Sequence, residues 1–354
     1  MWPRRAKYLV GIDIGSHGIK LARLSPAGRR LQLVNLGMLP LPPTAVVEGA
    51  IAEPATIQEA LIGLVTMENL AGKDIALALS GHSVIVKKVR MARMSAEELA
   101  NALPYEAEQH IPFDVYDVNT DFQILDTTTD DKDRQMDVLL VAAKKGPVEE
   151  LNQVALAAQL RPAVVDVDML ALINCFELNY PEELLGRVVS LVHMGASLMT
   201  VTVLKDGVSM FQRDVSLGGN QYTAALQKAF GLTPEDAEAV KLGVAGNQSA
   251  PDKVLMLLRS VTEEVATEIQ RSFEFYMASV GEEPIEKVYI SGGCARLKGL
   301  PEVLETRLQV PVELLNPFRQ IEVPEKLFDP EYVRDIGPLV TIAVGLALRR
   351  KGDR

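Results

Sequence analysis

The chain lacks several features that mark other classes of protein. It contains two cysteines, Cys175 and Cys294, far apart in the sequence, and this excludes a framework of disulfide bridges and is typical of a reducing cytoplasm. It also lacks an excess of basic residues, because the net charge is −11. A general nucleic-acid surface needs a basic stripe, so we expect no nucleic-acid partner.

Long apolar runs and a secretory signal are missing as well. Residues 1–9 are basic but contain no apolar segment before a cleavage site. The smooth apolar run near the C-terminus, residues 336–348, is interrupted by Gly337, Pro338 and Gly345 and is too short to span a bilayer. We therefore expect a soluble, cytoplasmic protein.

The composition is that of an ordinary globular protein. Apolar residues make up 48% and charged residues 23% of the 354 positions. This length is greater than that of most single-core domains and is sufficient for two domains.

The stretch of residues 8–24 predicts an apolar strand, a glycine-rich turn and a second strand. Its bend carries Asp13, Gly15, Ser16 and His17. Glycine lets the backbone approach a ligand closely, and successive backbone N–H groups in such a turn suit phosphate oxygens. The Asp13 carboxylate is a hard oxygen ligand for Mg²⁺ or its waters. Similar turns also occur in ordinary hairpins, so both interpretations stay open.

The first half of the chain continues with mixed elements. Ser95 and Glu98 form a capping box that predicts a helix start, Pro104 predicts a kink, and residues 111–113 end that helix. Predicted strands cover residues 31–39, 74–79, 84–91, 118–125, 135–143 and 162–167, with an acidic turn at 127–133. The other predicted helices are one capped by Thr56 that runs to Leu70, one over 147–160 and one over 168–178. Residues 83–143 thus look like a small β-rich insertion that carries one helix.

The opening pattern returns 180 residues later. Residues 188–204 align with residues 8–24, so that Gly15 falls on Gly195 and Leu24 on Leu204. Each copy is followed by a turn and a third strand, which indicates an internal duplication. Two hairpins that face each other could hold a nucleotide between two lobes.

The second half adds further glycine-rich signals. Gly218 and Gly219 open a predicted helix that runs to residue 230, where exposed N–H groups suit an anion, although a flexible N-cap is an equal alternative. Thr233 caps the next helix, on which Glu238 and Lys241 share a face; such a pair is usually a solvated salt bridge.

The remaining predicted elements are a long helix, a strand that ends in a glycine loop, and a closing helix. The strand from residue 288 runs into Gly292, Gly293 and Arg296, where a sugar or a flat ring can approach. The closing helix is predicted over residues 336–350. The long helix, residues 251–280, presents an apolar stripe made of Val254, Leu257, Leu258, Val261, Val265, Ile269, Phe273, Tyr276 and Met277.

Five of these elements, taken in order, resemble the ATPase superfamily of actin, heat-shock chaperones and sugar kinases. They are the hairpins GIDIGS and VHMGAS, the helix start LGGN, the loop SGGCAR and the closing apolar helix. Within that superfamily the chain resembles the PilM family, FtsA-related actin-like proteins of type IV pilus assembly. The resemblance implies an α/β, actin-like ATPase fold with two duplicated lobes around a nucleotide cleft.

The resemblance also implies how the chain is divided. The implied ranges are 1–82 for lobe 1, 83–143 for an FtsA-type inserted subdomain, 144–184 for the rest of lobe 1, 185–230 for lobe 2, 231–284 for its second subdomain, 285–329 for a return to lobe 2 and 330–354 for a closing helix that returns to lobe 1.

ATP and Mg²⁺ are the implied cofactors. Asp13 matches the residue associated with the metal, which it would contact through water. The implied phosphate-binding residues are Gly15, Ser16, His17, Lys20, His193, Gly195, Ala196, Ser197, Gly218, Gly219 and Asn220. The implied adenosine-binding residues are Glu238, Lys241, Gly292, Gly293 and Arg296.

The chain departs from the superfamily pattern at His193, where the second hairpin normally carries Asp. An imidazole cannot replace a carboxylate that holds the waters around Mg²⁺, so we expect ATP binding with weak or absent hydrolysis. Asp168 stands roughly where related proteins place the residue that orients the attacking water. Capping a helix is the simpler role for Asp168.

The resemblance implies a partner, the short cytoplasmic N-terminal segment of the membrane protein PilN, in a groove beside the inserted subdomain. The helix at 95–110 and the stretch 111–113 offer apolar surface, although Ile111 and Phe113 are as well explained by packing within their own subdomain. The chain would then be peripheral at the inner membrane through PilN and other platform and motor proteins. The sequence does not choose between a monomer and a homo-oligomer.

Two other functions stay open. A small-molecule kinase of the same superfamily is disfavoured because such kinases are usually longer and no convincing substrate-base motif lies between the hairpins. An FtsA-like cell-division filament protein should carry a tethered amphipathic C-terminal helix, and we expect none after residues 346–354.

Overall fold

The computed structural model describes residues 8–125, 135–243, 251–280 and 283–353. The strands are β1 (Val10–Gly15), β2 (Gly18–Ala27), β3 (Arg30–Pro40), β4 (Val46–Val47), β5 (Ala50–Ile51), β6 (Asp74–Leu79), β7 (Val84–Ala92), β8 (Val118–Ile124), β9 (Gln135–Lys144), β10 (Arg161–Val167), β11 (Val188–Met194), β12 (Met199–Lys205), β13 (Val208–Val215), β14 (Lys287–Ser291), β15 (Val312–Leu314) and β16 (Ile321–Glu322). The α-helices are α1 (Pro54–Met67), α2 (Ala96–Glu108), α3 (Lys145–Ala157), α4 (Asp168–Asn179), α5 (Gly219–Phe230), α6 (Pro234–Lys241), α7 (Pro251–Ser279), α8 (Leu300–Leu308), α9 (Pro330–Ile336) and α10 (Thr341–Ala347). None of the helices within the described ranges has the length and apolar character that crossing a membrane requires.

Two mixed sheets form the centre of the molecule. The first has the strand order β10-β6-β1-β2-β3-β16 and the second has the order β13-β12-β11-β14-β15. In each sheet an antiparallel hairpin (β1–β2 or β11–β12) carries a third antiparallel strand (β3 or β13) on one side. On the other side of each hairpin lie two parallel strands, β6 and β10 or β14 and β15. The matching topology supports the predicted internal duplication.

Residues 84–144 contain a third, separate sheet. Its order is β7-β9-β8, and α2 packs on it through Leu99, Leu103 and Ala107, each 5% exposed or less. This sheet and its helix bury an apolar core distinct from the cores of the two large sheets. The structure therefore contains a compact unit where the sequence predicted an insertion.

Helix α4 joins the first sheet to the second. Phe176 of α4 and Tyr180, the residue that follows α4, stack with ring centroids 5.1 Å apart. Each ring lies 4.8 Å from that of Tyr289 on β14. Aromatic packing of this kind adds to the apolar area that the rings bury. The aromatic cluster of Phe176, Tyr180 and Tyr289 thus fixes α4 against the second sheet.

Helix α10 packs unusually close to its neighbours. It contacts α4, β1 and β2, and a Cβ at Gly345 would overlap the backbone carbonyl of Ala171 on α4. On the other side, a Cβ at Gly11 of β1 would overlap the carbonyl oxygen of Ala343. Glycine at these two positions allows backbone to lie directly on backbone.

Several element predictions are confirmed. The strand over 74–79 has the predicted bounds, and the two hairpins and their third strands are present. Ser95 forms the predicted capping box with Glu98, and Pro104 lies inside α2. The acidic turn predicted at 127–133 lies outside the described residues.

Other element predictions are wrong. The N-cap of α1 is Glu53 and not Thr56, because Pro54 begins the helix, and the Thr56 hydroxyl instead donates to the Glu53 carboxylate at 2.9 Å. Met277, placed on the buried stripe of α7, is 44% exposed.

The closing segment also differs from its prediction. The continuous helix predicted over 336–350 is divided into α9, a 3₁₀ turn at Gly337–Leu339 and α10. Pro338 explains the break, since proline supplies no N–H to the helical ladder. Strand β16 already adds to the first sheet beside β3, within the range 285–329 predicted for lobe 2. The domain ranges themselves remain predictions.

Candidate functional site

The bends of the two repeated hairpins face each other across a cleft. The hydroxyl oxygens of Ser16 and Ser197, one in each bend, lie 2.7 Å apart and share a hydrogen bond. The cavity behind them has a volume of about 210 Å³. The predicted site residues among its lining are Asp13, Gly15, Ser16, His17, Lys20, Asp168, His193, Gly195, Ala196, Ser197, Gly219, Asn220, Glu238, Lys241, Gly292, Gly293 and Arg296. The fold thus gathers residues from both halves of the chain around one cavity.

The first hairpin contributes an ion pair. Asp13 on β1 lies opposite Lys20 on β2, and the Asp13 Oδ2 to Lys20 Nζ distance is 3.2 Å. The side chains are 12% and 15% exposed, so the charges are only partly screened by solvent. Gly15 leaves room for the ammonium group, since a Cβ there would lie 2.6 Å from Lys20 Nζ. Lys20 can attract a phosphate, and Asp13 can hold a cation or its waters.

The second hairpin has no charged pair at the equivalent position. His193 on β11 lies opposite Thr200 on β12 and beside Ser291 on β14. The His193 Nδ1 to Ser291 Oγ distance is 3.0 Å. Burial lowers the pKa of His193 from 6.5 to about 4, with a smaller opposing effect of Asp13 and a further lowering by Lys20. The imidazole is therefore neutral at physiological pH.

Asp168 lines the cleft, and a second carboxyl group, that of Asp214, lies close enough to affect its titration. Asp168 is the first residue of α4, and its Oδ1 accepts the backbone N–H of Met169 at 2.7 Å. Burial raises the pKa of Asp168 well above its usual value, and the neighbouring Asp214 adds to this effect. Asp214 on β13 accepts the hydroxyl of Thr200 at 2.8 Å, and burial raises its pKa as well. Asp168 therefore accepts a hydrogen bond at the start of α4 and also lines the cleft.

The glycines at the start of α5 act differently from the sequence expectation. The N–H of Gly218 donates to Gln221 Oε1 at 2.7 Å. The N–H groups of Gly219 and Asn220 donate to the carbonyls of Gly195 and Ala196 at 3.0 and 2.8 Å. These three donors are therefore occupied rather than exposed to an anion. They bind the helix start to the second hairpin, and a Cβ at Gly218 would lie 2.7 Å from the Ala196 oxygen.

Glu238 and Lys241 are part of a network rather than a solvated pair. Glu238 Oε2 lies 2.5 Å from Lys241 Nζ and accepts the Thr223 hydroxyl at 2.8 Å. Lys241 also donates to the Gly219 carbonyl at 3.3 Å and is only 8% exposed. This network places a cation and an acceptor on the side of the cleft formed by α5 and α6. A carboxylate that accepts two hydrogen bonds is well suited to orient a ribose hydroxyl.

The glycine loop after β14 lies beside the second hairpin. Gly292 has φ of +87°, which favours glycine, and a Cβ there would overlap the Met194 carbonyl oxygen. Gly293 has open space around the position of a Cβ, and the Arg296 side chain is exposed at the end of the loop. The loop therefore offers a flat, unobstructed surface beside a guanidinium group.

Sequence reasoning missed three residues that shape this site. Thr200 and Asp214 form a hydrogen-bonded pair next to His193, and Ser291 fixes the imidazole. The alternation of residues along the hairpin could have indicated Thr200, because Thr200 on β12 lies directly opposite His193 on β11. Ser291 is the last residue of β14 and immediately precedes Gly292 and Gly293. Its place next to the glycine loop could have indicated that it belongs to the site.

The residues fit a nucleoside triphosphate. Glycines without obstructing Cβ atoms line both bends, and Lys20, Lys241 and Arg296 supply cations in the lining of the cavity. A magnesium ion fits less fully. Asp13 is the hairpin carboxylate available for it and is already paired with Lys20, while the equivalent position of the other hairpin is His193.

Three comparisons with known proteins agree on the fold. A solved structure described as the PilM-PilN type IV pilus biogenesis complex is 30% identical, covers 97% of this chain and 98% of that chain, and has a TM-score of 0.85. MreB5 of Spiroplasma citri bound to AMPPNP is 10% identical, with 97% and 95% coverage and a TM-score of 0.55. The cell division protein FtsA of Rhizobium meliloti (strain 1021) is 23% identical over 172 residues, which span 42% of this chain but only 39% of that relative. The chain has the actin-like ATPase fold.

The family assignment extends along nearly the whole chain. Residues 11–351 match the family described as type IV pilus assembly protein PilM, and that range includes both hairpins, the third sheet and α10. The predicted resemblance is confirmed: this chain belongs to the family of type IV pilus assembly protein PilM.

Proposed function

We propose that the chain is an ATP-binding scaffold of the type IV pilus assembly platform and that it binds the N-terminal cytoplasmic segment of PilN. The observation that carries the proposal is the likeness to a PilM in complex with PilN, which extends over 97% of this chain and 98% of that one. Through PilN the chain is held at the inner membrane, where it connects the platform with the motor proteins.

The ATP phosphates lie between the two hairpin bends. Ser16 and Ser197 now share a hydrogen bond, and each hydroxyl is free to donate to a phosphate oxygen once a ligand separates them. Lys20 supplies positive charge, and the backbone at Gly15 and Gly195 gives the phosphates a close approach. His17, Ala196, Gly218, Gly219 and Asn220 complete the phosphate side, with the two α5 glycines acting by packing.

The adenosine lies against α6 and the loop after β14. Glu238 accepts from the ribose, Lys241 keeps Glu238 in place, and Gly292 and Gly293 lie under the base. Arg296 stacks its guanidinium plane on the ring. Support comes from the presence of all five residues in the lining of the cavity.

Hydrolysis is weak or absent in this proposal. Asp13 would hold the waters of a Mg²⁺ bound with the phosphates, and such an ion would neutralise part of the phosphate charge. Asp168 orients a water molecule near the phosphates. His193 provides no second carboxylate, which is the reason for slow turnover.

The PilN segment binds beside the third sheet, on the side that faces the first lobe. Ile111, proposed from sequence as apolar surface, is only 7% exposed and packs within its own core. Phe113 is half-buried with Lys144 Nζ 4.6 Å from its ring. Tyr116 is a better candidate, since it is 82% exposed and its carbonyl accepts Lys145 Nζ of α3 at 2.6 Å. Exposed tyrosines are frequent anchors in interfaces.

Calorimetry with ATP and with a synthetic PilN N-terminal peptide tests both parts. We expect both ligands to bind the wild-type chain, and Tyr116→Ala to weaken the peptide about tenfold while leaving ATP unchanged. Tyr332→Ala is the matched control, because Tyr332 is 47% exposed on α9 and should change neither affinity. A folded chain that binds no ATP would overturn the nucleotide part, and a peptide that does not bind would overturn the scaffold part.

A further inference from the structure

Because the two hairpins are repeats, their residues can be compared position by position. Asp13 and His193 are 180 residues apart and occupy the same position on β1 and β11. The cross-strand partner is Lys20 in the first hairpin and Thr200 in the second. The first hairpin therefore presents a charged pair to the cleft, whereas the second presents an uncharged one.

The His193 ring is held in one orientation. Its Nδ1 lies 3.0 Å from the hydroxyl of Ser291, and Ser291 is only 1% exposed. Within the described part of the chain this hydroxyl has His193 as its one side-chain partner. The Ser291 hydroxyl can place its proton on Nδ1, the acceptor within reach, and we assign the hydrogen bond in that direction.

This hydrogen bond fixes the tautomer of the imidazole. If Nδ1 accepts from Ser291, the ring proton of the neutral imidazole is on Nε2. No residue in the described ranges accepts a hydrogen bond from Nε2, and the ring lines the cleft. In this tautomer His193 carries an Nε2–H donor and is part of the cavity lining.

We propose that the chain binds nucleoside triphosphate with little dependence on Mg²⁺, because His193 donates directly to a phosphate oxygen from the second hairpin. The inference rests on the proposed nucleotide function and adds the role of the metal to it. A carboxylate at position 193 would repel phosphate unless a cation lay between them. Here Asp13 is balanced by Lys20 at 3.2 Å, and His193 adds no negative charge, so the phosphates can approach without a screening ion.

The test is calorimetry of ATP binding in buffer with excess Mg²⁺ and in buffer with excess EDTA. We expect the wild-type dissociation constant to differ by less than about threefold between the two buffers. His193→Asp should bind at least about tenfold more weakly in EDTA than in Mg²⁺, because the new carboxylate needs the cation. His110→Ala is the matched control, since His110 follows α2 outside the cleft, and it should behave as wild type.

A second variant covers the case in which His193→Asp does not fold, which thermal unfolding followed by circular dichroism would reveal. Ser291→Ala removes the partner of Nδ1 and should weaken ATP severalfold in EDTA, with a smaller effect in Mg²⁺. Equal affinities of Ser291→Ala and wild type in EDTA overturn the role of His193 as donor. Binding of ATP by wild type in Mg²⁺ alone overturns the inference and leaves the proposed function intact, whereas no binding in either buffer overturns both.

Discussion

At the scale of single residues, the cleft is asymmetric in charge. Lys20 and Asp13 offset each other on one side, and a neutral His193 with its Ser291 partner occupies the other side. In the proposed function, nucleotide binding and turnover depend on different members of this set. Cations and N–H donors attract a triphosphate, whereas hydrolysis also requires that the metal and its waters are held in place.

Restoring a carboxylate on the second hairpin should change the turnover rate. We expect His193→Asp to hydrolyse ATP faster than wild type in the presence of Mg²⁺, because two facing carboxylates can then hold the ion's waters. The measurement is steady-state release of inorganic phosphate. Wild-type turnover as fast as that of His193→Asp would contradict the account of His193.

The depressed pKa of His193 should also appear in protein stability. Between pH 6.5 and about 4 the unfolded chain protonates this residue and the folded chain does not. The unfolded state then binds more protons, so the free energy of unfolding falls as the pH decreases through that window, by at most about 1.4 kcal/mol per pH unit from this group. Above pH 6.5 both states are neutral at this residue and it contributes no slope.

Urea unfolding of wild type and His193→Asn across that pH window isolates the effect. Asp168 and Asp214, whose pKa values are raised by burial, contribute slopes of the opposite sign to both proteins, so they largely cancel in the difference. We expect the variant to lose less stability on acidification. Parallel curves would mean that His193 titrates in the folded chain as it does in the unfolded one.

At the scale of elements, local signals predicted most strands and helix starts. The strand over 74–79 and the Ser95 capping box follow from alternation and from residues close in sequence. The break in the closing segment is not predicted by these signals, because the apolar run favours one continuous helix. In the structure the segment around Pro338 is instead divided into two short helices. The occupied N–H groups of α5 also escaped prediction, since their acceptors, Gly195 and Ala196, lie more than twenty residues away.

The roles of the site residues could be predicted only where the resemblance to the ATPase superfamily implied them. The bend residues could be recognised from the repeated hairpin, and the structure places them at one cavity. Ser291 and the Thr200–Asp214 pair depend on strand neighbours that come together only in the folded sheet.

The contact of α10 with α4 gives a prediction about packing. Gly345→Ala should destabilise the chain by about 3 kcal/mol, because the new methyl group overlaps the Ala171 carbonyl. Gly63→Ala is the matched control, since a Cβ at Gly63 within α1 meets no atom within 4 Å. It should stabilise the chain by about 0.5–1 kcal/mol through helix propensity. Urea unfolding of both variants makes the comparison, and a neutral Gly345→Ala would show that α10 can shift away.

At the scale of the whole molecule, one ligand should join two sheets and leave the third largely unaffected. The hairpin bends belong to different sheets and meet at Ser16 and Ser197, whereas the β7-β9-β8 sheet has a separate core. A ligand that binds between the bends of the folded chain stabilises that folded state, by an amount that grows with the logarithm of the ligand concentration above Kd.

Hydrogen exchange measured by mass spectrometry can test this division. We expect ATP to slow exchange in residues 10–24 and 188–204 together, with a much smaller change in residues 84–92 and 135–144. Slower exchange in one hairpin alone would contradict a ligand held from both sides. Equal protection of the third sheet would indicate that the ligand tightens the entire chain.

The way the third sheet is attached has a consequence for how such proteins diversify. Its entering and leaving strands, β7 and β9, are paired so that Val84 lies directly opposite Ala143, and antiparallel partners have Cα atoms only about 5 Å apart. A unit whose two ends lie side by side can be exchanged for another unit, or replaced by a short linker. The path of the chain before and after it then stays the same. Sequence changes can therefore accumulate in this unit while the cleft between the two hairpins keeps its geometry.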